Sequence, residues 1–213
     1  MTTFRPLTLL LSLTTLLAPL TSRAATDTIR VSTLRGDFTQ SLRARMADHT
    51  ATDRLVVFFD REGTYALNGS VTAHCHTEIM GLGADKTIIE ISRGTDRPGF
   101  KAMKTDCFVG LLGTAGQPIE VSIHDIGFAM PRHADIWWAD AAKLAVKIYH
   151  ANRVDIRRVE STLHNAVCTN FDLRVCSNVT VEDNVIINYN NCAAGGNLWL
   201  RGTTHRATIR RNR

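Results

Sequence analysis

One short phrase recurs along the C-terminal part of the chain. Its copies are residues 121–126 (VSIHDI), 154–159 (VDIRRV), 179–184 (VTVEDN) and 207–212 (ATIRRN). Each copy begins with three residues of strand-like alternation and continues with two polar residues. The third positions, 123, 156, 181 and 209, are separated by 33, 25 and 28 residues. Repetition at this spacing is typical of an architecture in which coils stack along one axis.

A three-residue strand cannot bury an apolar face by itself. When it stacks on its copy in the next coil, the backbones pair in a parallel ladder and the inward side chains form a shared apolar column. A second set of short strands alternates with the phrase, at residues 145–149, 166–170 and 197–201, with polar corners between the two sets. This pattern predicts an all-β fold, a right-handed parallel β-helix.

The two ends of the predicted stack differ. Apolar residues Phe38, Leu42 and Met46 follow Asp37 at helical spacing, which predicts a short N-terminal capping helix with Asp37 as its N-cap. Such a helix would cover the open end of the sheet. At the other end the sequence stops just past a strand, at Arg213. We therefore expect that C-terminal coils are missing and that the last coil exposes an apolar edge.

The N-terminus has the pattern of a secretory signal. Arg5 precedes an apolar run over residues 7–17, Pro19 ends it, and residues 22–24 (SRA) offer small residues for cleavage. The run is short for a membrane span, and a buried first helix is the alternative. We predict a signal peptide over residues 1–24, one β-helix domain over residues 25–213, and a secreted or periplasmic protein with no membrane span. Loss of Arg5 and Arg23 would lower the formal charge from +5 to +3.

Export would permit disulfides, but the chain has five cysteines, an odd number. They are Cys75, Cys107, Cys168, Cys176 and Cys192. No C-x-x-C occurs, which argues against a zinc ribbon or a redox pair. Two alternatives stay open: buried free thiols, and a bridge such as Cys168–Cys192 between neighbouring coils.

Three segments resemble a known family. Residues 57–65 (VFFDREGTY) and 79–89 (IMGLGADKTII) resemble the opening coils of the pectin-lyase-like superfamily, and residues 178–184 (NVTVEDN) resemble the general right-handed β-helix repeat. The resemblance covers most of residues 55–213. It implies the β-helix fold and a polysaccharide partner. It leaves the reaction open, because the superfamily contains lyases, hydrolases, epimerases, esterases and non-enzymatic adhesins and tailspikes.

Outward side chains on neighbouring strands of such a stack lie about 4.8 Å apart, so a row of them can follow a sugar chain. Alternation along the second strand set predicts a substrate-binding groove formed by Lys147, Tyr149, Asn170, Trp199 and Arg201. Aromatic rings stack on sugar faces, and basic groups pair with uronate or sulfate. The alternative is a solvated sheet face. Trp137 and Trp138 add a second carbohydrate-binding candidate, with anchoring of their loop as the alternative.

The sequence leaves the catalytic residues unknown. Two pairs, His124–Asp125 and Asp155 with Arg157, could supply an acid or base, as could His164 beside Asn165. Of the four motifs of an inverting polygalacturonase only Asn-x-Asp is present, at residues 170–172. The other three are absent, so we do not transfer those catalytic roles.

We predict no cofactor, although a lyase of this fold would require calcium. Calcium needs several oxygen ligands at once, and the acids of the later coils do not repeat at equivalent outward positions. These acids are Asp155, Glu160, Asp172, Glu182 and Asp183. They also offset the arginines near the C-terminus, so we predict no nucleic-acid partner. We expect a monomer, with Asn152, Asn178 and Asn184 forming asparagine ladders at the coil corners.

Together these patterns predict an exported, polysaccharide-active β-helix protein, a lyase or a glycoside hydrolase acting on an acidic or a plant or host glycan. The alternative is a non-catalytic β-helix that binds glycan or displays a surface, or an inactive fragment of such an enzyme.

Overall fold

The structure, a computed structural model, describes residues 26–91, 107–130, 144–163, 169–188, 197–202 and 204–213. Their elements are β1 (Thr26–Arg30), a 3-10 turn (Val31–Thr33), α1 (Phe38–Ala47), β2 (Arg54–Phe58), β3 (Gly63–Leu67), β4 (Val71–Ala73), β5 (His76–Met80), β6 (Thr87–Ile91), β7 (Val109–Leu112), β8 (Ile119–Met130), β9 (Leu144–Leu163), β10 (Thr169–Glu182), β11 (Val185–Asn188), β12 (Leu198–Arg201) and β13 (His205–Arg210). The predicted signal peptide, Trp137, Trp138, the candidate His164 beside Asn165, and the Cys168–Cys192 pair lie outside the described residues.

The described strands form a single 13-stranded sheet in which the neighbouring strands pair in parallel. The sheet is curled into a half-barrel. This confirms the prediction of an all-β chain of parallel strands.

The long strands β8, β9 and β10 bend at corners, so the sheet has three faces. Face 1 contains β1, β2, β5, β13 and residues 119–124, 151–157 and 176–182. Face 2 contains β3, β6, β11 and residues 126–130 and 159–163. Face 3 contains β4, β7, β12 and residues 144–149 and 169–174.

The register of face 1 follows the repeated phrase. Ile123 pairs with Ile156, Ile156 with Val181, and Val181 with Ile209. The same inward column continues toward the N-terminus through Ile79, Val57 and Ile29. All of these except Ile209 are at most 3% exposed. The predicted stacking of positions 123, 156, 181 and 209 is therefore confirmed.

Single residues with left-handed backbone turn the chain at the corners. Asp125, Arg158, Asp183 and Arg211, with φ between 52° and 58°, lie at equivalent positions between faces 1 and 2. His150, Val175 and Gly202 turn the chain between faces 3 and 1, with φ of 51°, 55° and 66°. Glycine and aspartate suit this conformation, whereas β-branched Val175 is strained by about 1–2 kcal/mol.

Asparagine side chains bridge neighbouring strands just after the corner between faces 1 and 2. Buried Asn184 donates from Nδ2 to the carbonyl of Ile156 (3.0 Å) and accepts at Oδ1 from the N–H of Val159 (2.9 Å). Asn212 repeats the arrangement, with Nδ2 donating to the carbonyl of Val181 (2.8 Å) and Oδ1 accepting from Asn184 Nδ2 (2.9 Å). The predicted ladder is confirmed at Asn184, because each amide satisfies backbone groups of the neighbouring coil.

The N-terminal helix is present as α1. The Asp37 carboxylate accepts from the N–H of Gln40 (2.8 Å), as expected for an N-cap. Leu42 and Met46 are buried, and Phe38 packs against Phe59 and Tyr65 with ring centroids 6.3 and 5.6 Å away. The helix contacts β3 and β4, the first strands of faces 2 and 3.

The described thiols are buried. Cys75 and Cys176 are free thiols, Cys107 is 8% exposed, and burial raises the pKa of Cys176 to about 11. They therefore act as small apolar core residues. Within the described ranges, no helical segment combines the length and apolarity needed to cross a membrane.

Candidate functional site

Face 3 brings together four of the five residues predicted for the groove. Lys147 is in register with Asp172, which is in register with Trp199. Tyr149 is likewise in register with Arg174, which is in register with Arg201. We call the outward surface formed by these six residues the shelf.

Asn170 does not belong to this surface, and its predicted position was wrong. The prediction used residues 166–170 as the middle strand, whereas the structure pairs Val146 with Phe171 and Ile148 with Leu173. Phe171 and Leu173 are fully buried and supply the apolar inward alternation of this coil. Asn170 is also fully buried, where its Oδ1 accepts from the hydroxyl of Ser161.

The sequence pattern failed to assign two residues of the shelf, Arg174 and the acid that it pairs with, Asp172. Its carboxylate is fully buried and is held by two arginines. Arg201 donates from Nε to Oδ1 and from Nη2 to Oδ2 (both 3.0 Å), and Arg174 donates from Nε to Oδ2 (2.8 Å). A signal was present, because Asp-x-Arg places both charges on the same side of a strand, at residues 172–174 as at residues 155–157.

The shelf combines cationic and aromatic surface. The guanidinium carbon of Arg201 lies 4.0 Å from the centroid of the Trp199 ring, a cation–π stack. Tyr149 is 37% exposed and packs against His150 at a centroid distance of 4.2 Å. Asp172 fixes both guanidinium groups, so their outward N–H groups are presented to solvent in a defined orientation. Such a surface suits an anionic sugar.

Face 1 carries a second feature, an open cavity of about 200 Å³. Its lining residues are Arg54, His76, Thr77, Glu78, Glu120, Val121, Ser122, Arg153 and Asp155. They come from β2, β5, β8 and β9, four successive strands of the face. Among these residues, only Asp155 is a candidate acid or base on sequence grounds. The others are separated by long stretches of chain and share no local motif.

Basic groups line one side of the cavity. His76 Nδ1 accepts from the N–H of Glu120 (3.0 Å), which leaves Nε2 as the protonated nitrogen of the neutral ring. Arg54 pairs with Glu120 at 3.2 Å. Arg153 is exposed and, among the described residues, pairs with no carboxylate. It is therefore available to an anionic ligand.

Two carboxylates belong to one outward column of the cavity. Glu78 is in register with Ser122, and Ser122 with Asp155. Two strand spacings separate the acids, which places their Cα atoms about 10 Å apart. Glu78 Oε1 contacts His124 Nε2 at 2.9 Å, and Asp155 accepts from Arg157 Nε. Both side chains keep partial exposure, 31% and 20%, and so remain accessible to a ligand.

His124 connects Glu78 to the corner between faces 1 and 2. Its Nδ1 lies 2.7 Å from Asp125 Oδ2. Arg158 donates to both oxygens of Asp125, from Nε at 2.6 Å and from Nη2 at 2.7 Å. The hydrogen bonds from Arg158, aided by His124, lower the pKa of Asp125 to about 2 despite its partial burial.

The acids considered for calcium are dispersed and largely paired with arginine. Glu182 contacts Arg157 at 3.1 Å and Arg211 at 3.2 Å, and it also accepts from Arg210. Asp183 pairs with Arg211 as well. No group of three or more His, Cys, Asp or Glu residues in the described part of the chain is arranged to hold a metal ion. These residues therefore do not fit a calcium site.

Comparison with models of protein families, with curated proteins and with solved structures gives no match.

Proposed function

We propose that this chain is an exported, pectin-lyase-like protein with a right-handed parallel β-helix, and that it cleaves an acidic polysaccharide in the face 1 cavity. The observation that carries the proposal is the composition of that cavity. Carboxylates and cationic groups share one open depression on an outward strand face. Parallel strand spacing repeats about every 4.8 Å, so the face supports an extended sugar chain across several coils.

The carboxylates supply the acid and base groups for cleavage. A hydrolase needs one group to protonate the leaving oxygen and one to activate water, with room for the water between them. Glu78 and Asp155, one on either side of Ser122, provide this arrangement. A lyase needs a base that removes the proton next to the uronate carboxylate. Arg153 and Arg54 would then pair with that carboxylate and stabilise its developing charge.

The test is incubation of the mature protein with a panel of polyuronates and neutral glycans, with and without calcium. New reducing ends without ultraviolet absorbance identify a hydrolase, and an unsaturated, absorbing product identifies a lyase. Glu78→Gln and Asp155→Asn should each lower kcat by about 100-fold or more, as expected for a lost acid or base. Glu62→Gln is the control, since Glu62 lies outside the cavity and pairs with Lys86. Turnover that survives both cavity variants would refute the assignment.

The alternative function is glycan binding without turnover, and the shelf favours it through the stack of Arg201 on Trp199. Trp199→Ala should weaken binding of an acidic oligosaccharide about fivefold to tenfold, because stacking and cation–π contacts contribute about 1 kcal/mol. Trp199→Phe keeps an aromatic ring and should retain most of the affinity. Equal affinity of Trp199→Ala and the wild type, measured by calorimetry, would exclude the shelf as the binding surface.

A further inference from the structure

We propose that His124 is a positioning residue for Glu78, and that Asp125 acts on Glu78 through it. This inference rests on the proposed function for the role of Glu78 in cleavage, but the linkage itself is a property of the folded chain. It consists of Arg158, Asp125, His124 and Glu78, which follow one another at hydrogen-bond distance across three strands.

The imidazole of His124 is held from both sides. Asp125 lies 2.7 Å from Nδ1, and Glu78 lies 2.9 Å from Nε2. The ring is 19% exposed. Because Asp125 is ionised over the whole physiological range, it acts as an acceptor and keeps a proton on Nδ1. The plane of the ring is thereby fixed, and Nε2 is directed at Glu78.

The contact with His124 selects one oxygen of Glu78. Oε1 faces His124 Nε2, whereas Oε2 has no protein partner among the residues that the structure describes. Glu78 lines the cavity, so its second oxygen remains for a ligand. A rotation of the ring would release the carboxylate, since no other described side chain bonds to it. His124 therefore determines how Glu78 is presented.

The molecule contains a matched comparison for Asp125. Asp183 lies at the equivalent corner two coils further on, with φ of 58° against 54° for Asp125. It forms the same two-oxygen pair with an arginine, Arg211. The residue before Asp183 is Glu182 rather than histidine. The corner and the ion pair are thus common to both sites, whereas the link to a cavity carboxylate belongs to Asp125 alone of the two.

The experiment compares Asp125→Asn with Asp183→Asn by NMR of the mature protein. In the wild type and in Asp183→Asn, we expect a slowly exchanging His124 Nδ1–H signal. In Asp125→Asn that signal should weaken or vanish, and the side-chain carboxyl carbon resonance of Glu78 should shift. His124→Gln should shift the Glu78 resonance in the same way. This variant tests the linkage if Asp125→Asn does not fold. An unchanged Glu78 resonance in both variants overturns the proposal.

Kinetics provide the second readout. We expect His124→Gln to lower kcat about tenfold with little change in KM, because a small displacement of a reacting group costs up to about 100-fold. Asp183→Asn should leave kcat unchanged. A wild-type protein inactive on every glycan would refute the proposed function, while the NMR comparison would still decide the linkage. A variant with shifted Glu78 resonance and full kcat would overturn the positioning role alone.

Discussion

The same apolar position has different surroundings in the middle and in the last coil of the sheet. Ile156 and Ile209 occupy equivalent sites of the repeated phrase, and each is in register with Val181, from opposite sides. Ile156 is fully buried, whereas Ile209 is 50% exposed. On face 3, Leu173 is fully buried and its neighbour Leu200 is 37% exposed.

The difference shows what buries a residue in this architecture. Ile156 has a paired strand on either side, one containing Ile123 and the other containing Val181. Ile209 has a paired strand on one side only, the strand that contains Val181. Burial therefore depends on the neighbouring coils more than on the residue's own sequence. Stability in such a stack is approximately a sum of contacts between neighbours.

The largest expected effect is the difference between two identical substitutions. Ile156→Ala should lower the free energy of unfolding by about 3 kcal/mol, since it removes buried methyl groups and leaves a cavity. Ile209→Ala should cost about 1 kcal/mol or less, because half of its side chain is already in water. Urea unfolding of both variants provides the measurement. Equal losses in the free energy of unfolding would contradict the difference in burial between Ile156 and Ile209.

The asparagine ladder gives a second, smaller contrast. Asn184→Ala should cost about 2 kcal/mol, because it leaves the N–H of Val159 and the carbonyl of Ile156 without partners inside the protein. Asn212→Ala, in the last coil, should cost about 1 kcal/mol, since its surroundings are partly open to water. Thermal unfolding would test the order. A larger loss at Asn212 would contradict the account.

The smallest effect is a pH dependence at the corner. The pKa of Asp125 is about 2 in the folded chain, below its ordinary value of 3.8. A lowered pKa stabilises the fold above pH 3.8, and that contribution disappears as the pH falls toward 2. We expect it to stay below about 1 kcal/mol, because Arg158 is 55% exposed and water screens its pair with the partly buried Asp125. The stabilities of the wild type and Asp125→Asn should therefore converge between pH 4 and 2, as measured by urea unfolding.

The repeated phrase was sufficient to predict the parallel strands and their register on face 1. Its alternation places Ile123, Ile156 and Val181 on one side, and a one-residue error would expose all of them. The strand boundaries of face 3 are less predictable from the sequence. The strands of faces 3 and 1 are continuous in β9 and β10, and no turn residue marks where a strand begins. The middle strand was consequently placed four residues too early, so that Asn170 was aligned with Tyr149. In the structure Arg174 has that position, and Asn170 lies buried near the start of the strand.

The cavity could not be predicted because it has no local signature. Arg54 and Asp155 are distant in sequence and come to line the same cavity only through the pairing of four successive strands. The shelf could be predicted in part. Alternation identified Lys147, Tyr149, Trp199 and Arg201 as outward residues, but the role of Asp172 depends on contacts between coils.

The central claim is that the copies of the repeated phrase stack in register as parallel strands. Interstrand nuclear Overhauser effects on isotope-labelled protein test it most directly. We expect contacts of the parallel type between Ile123 and Ile156, between Ile156 and Val181, and between Val181 and Ile209. Contacts of the antiparallel type, or contacts displaced by one residue or more, would contradict the stacking and with it both proposed sites.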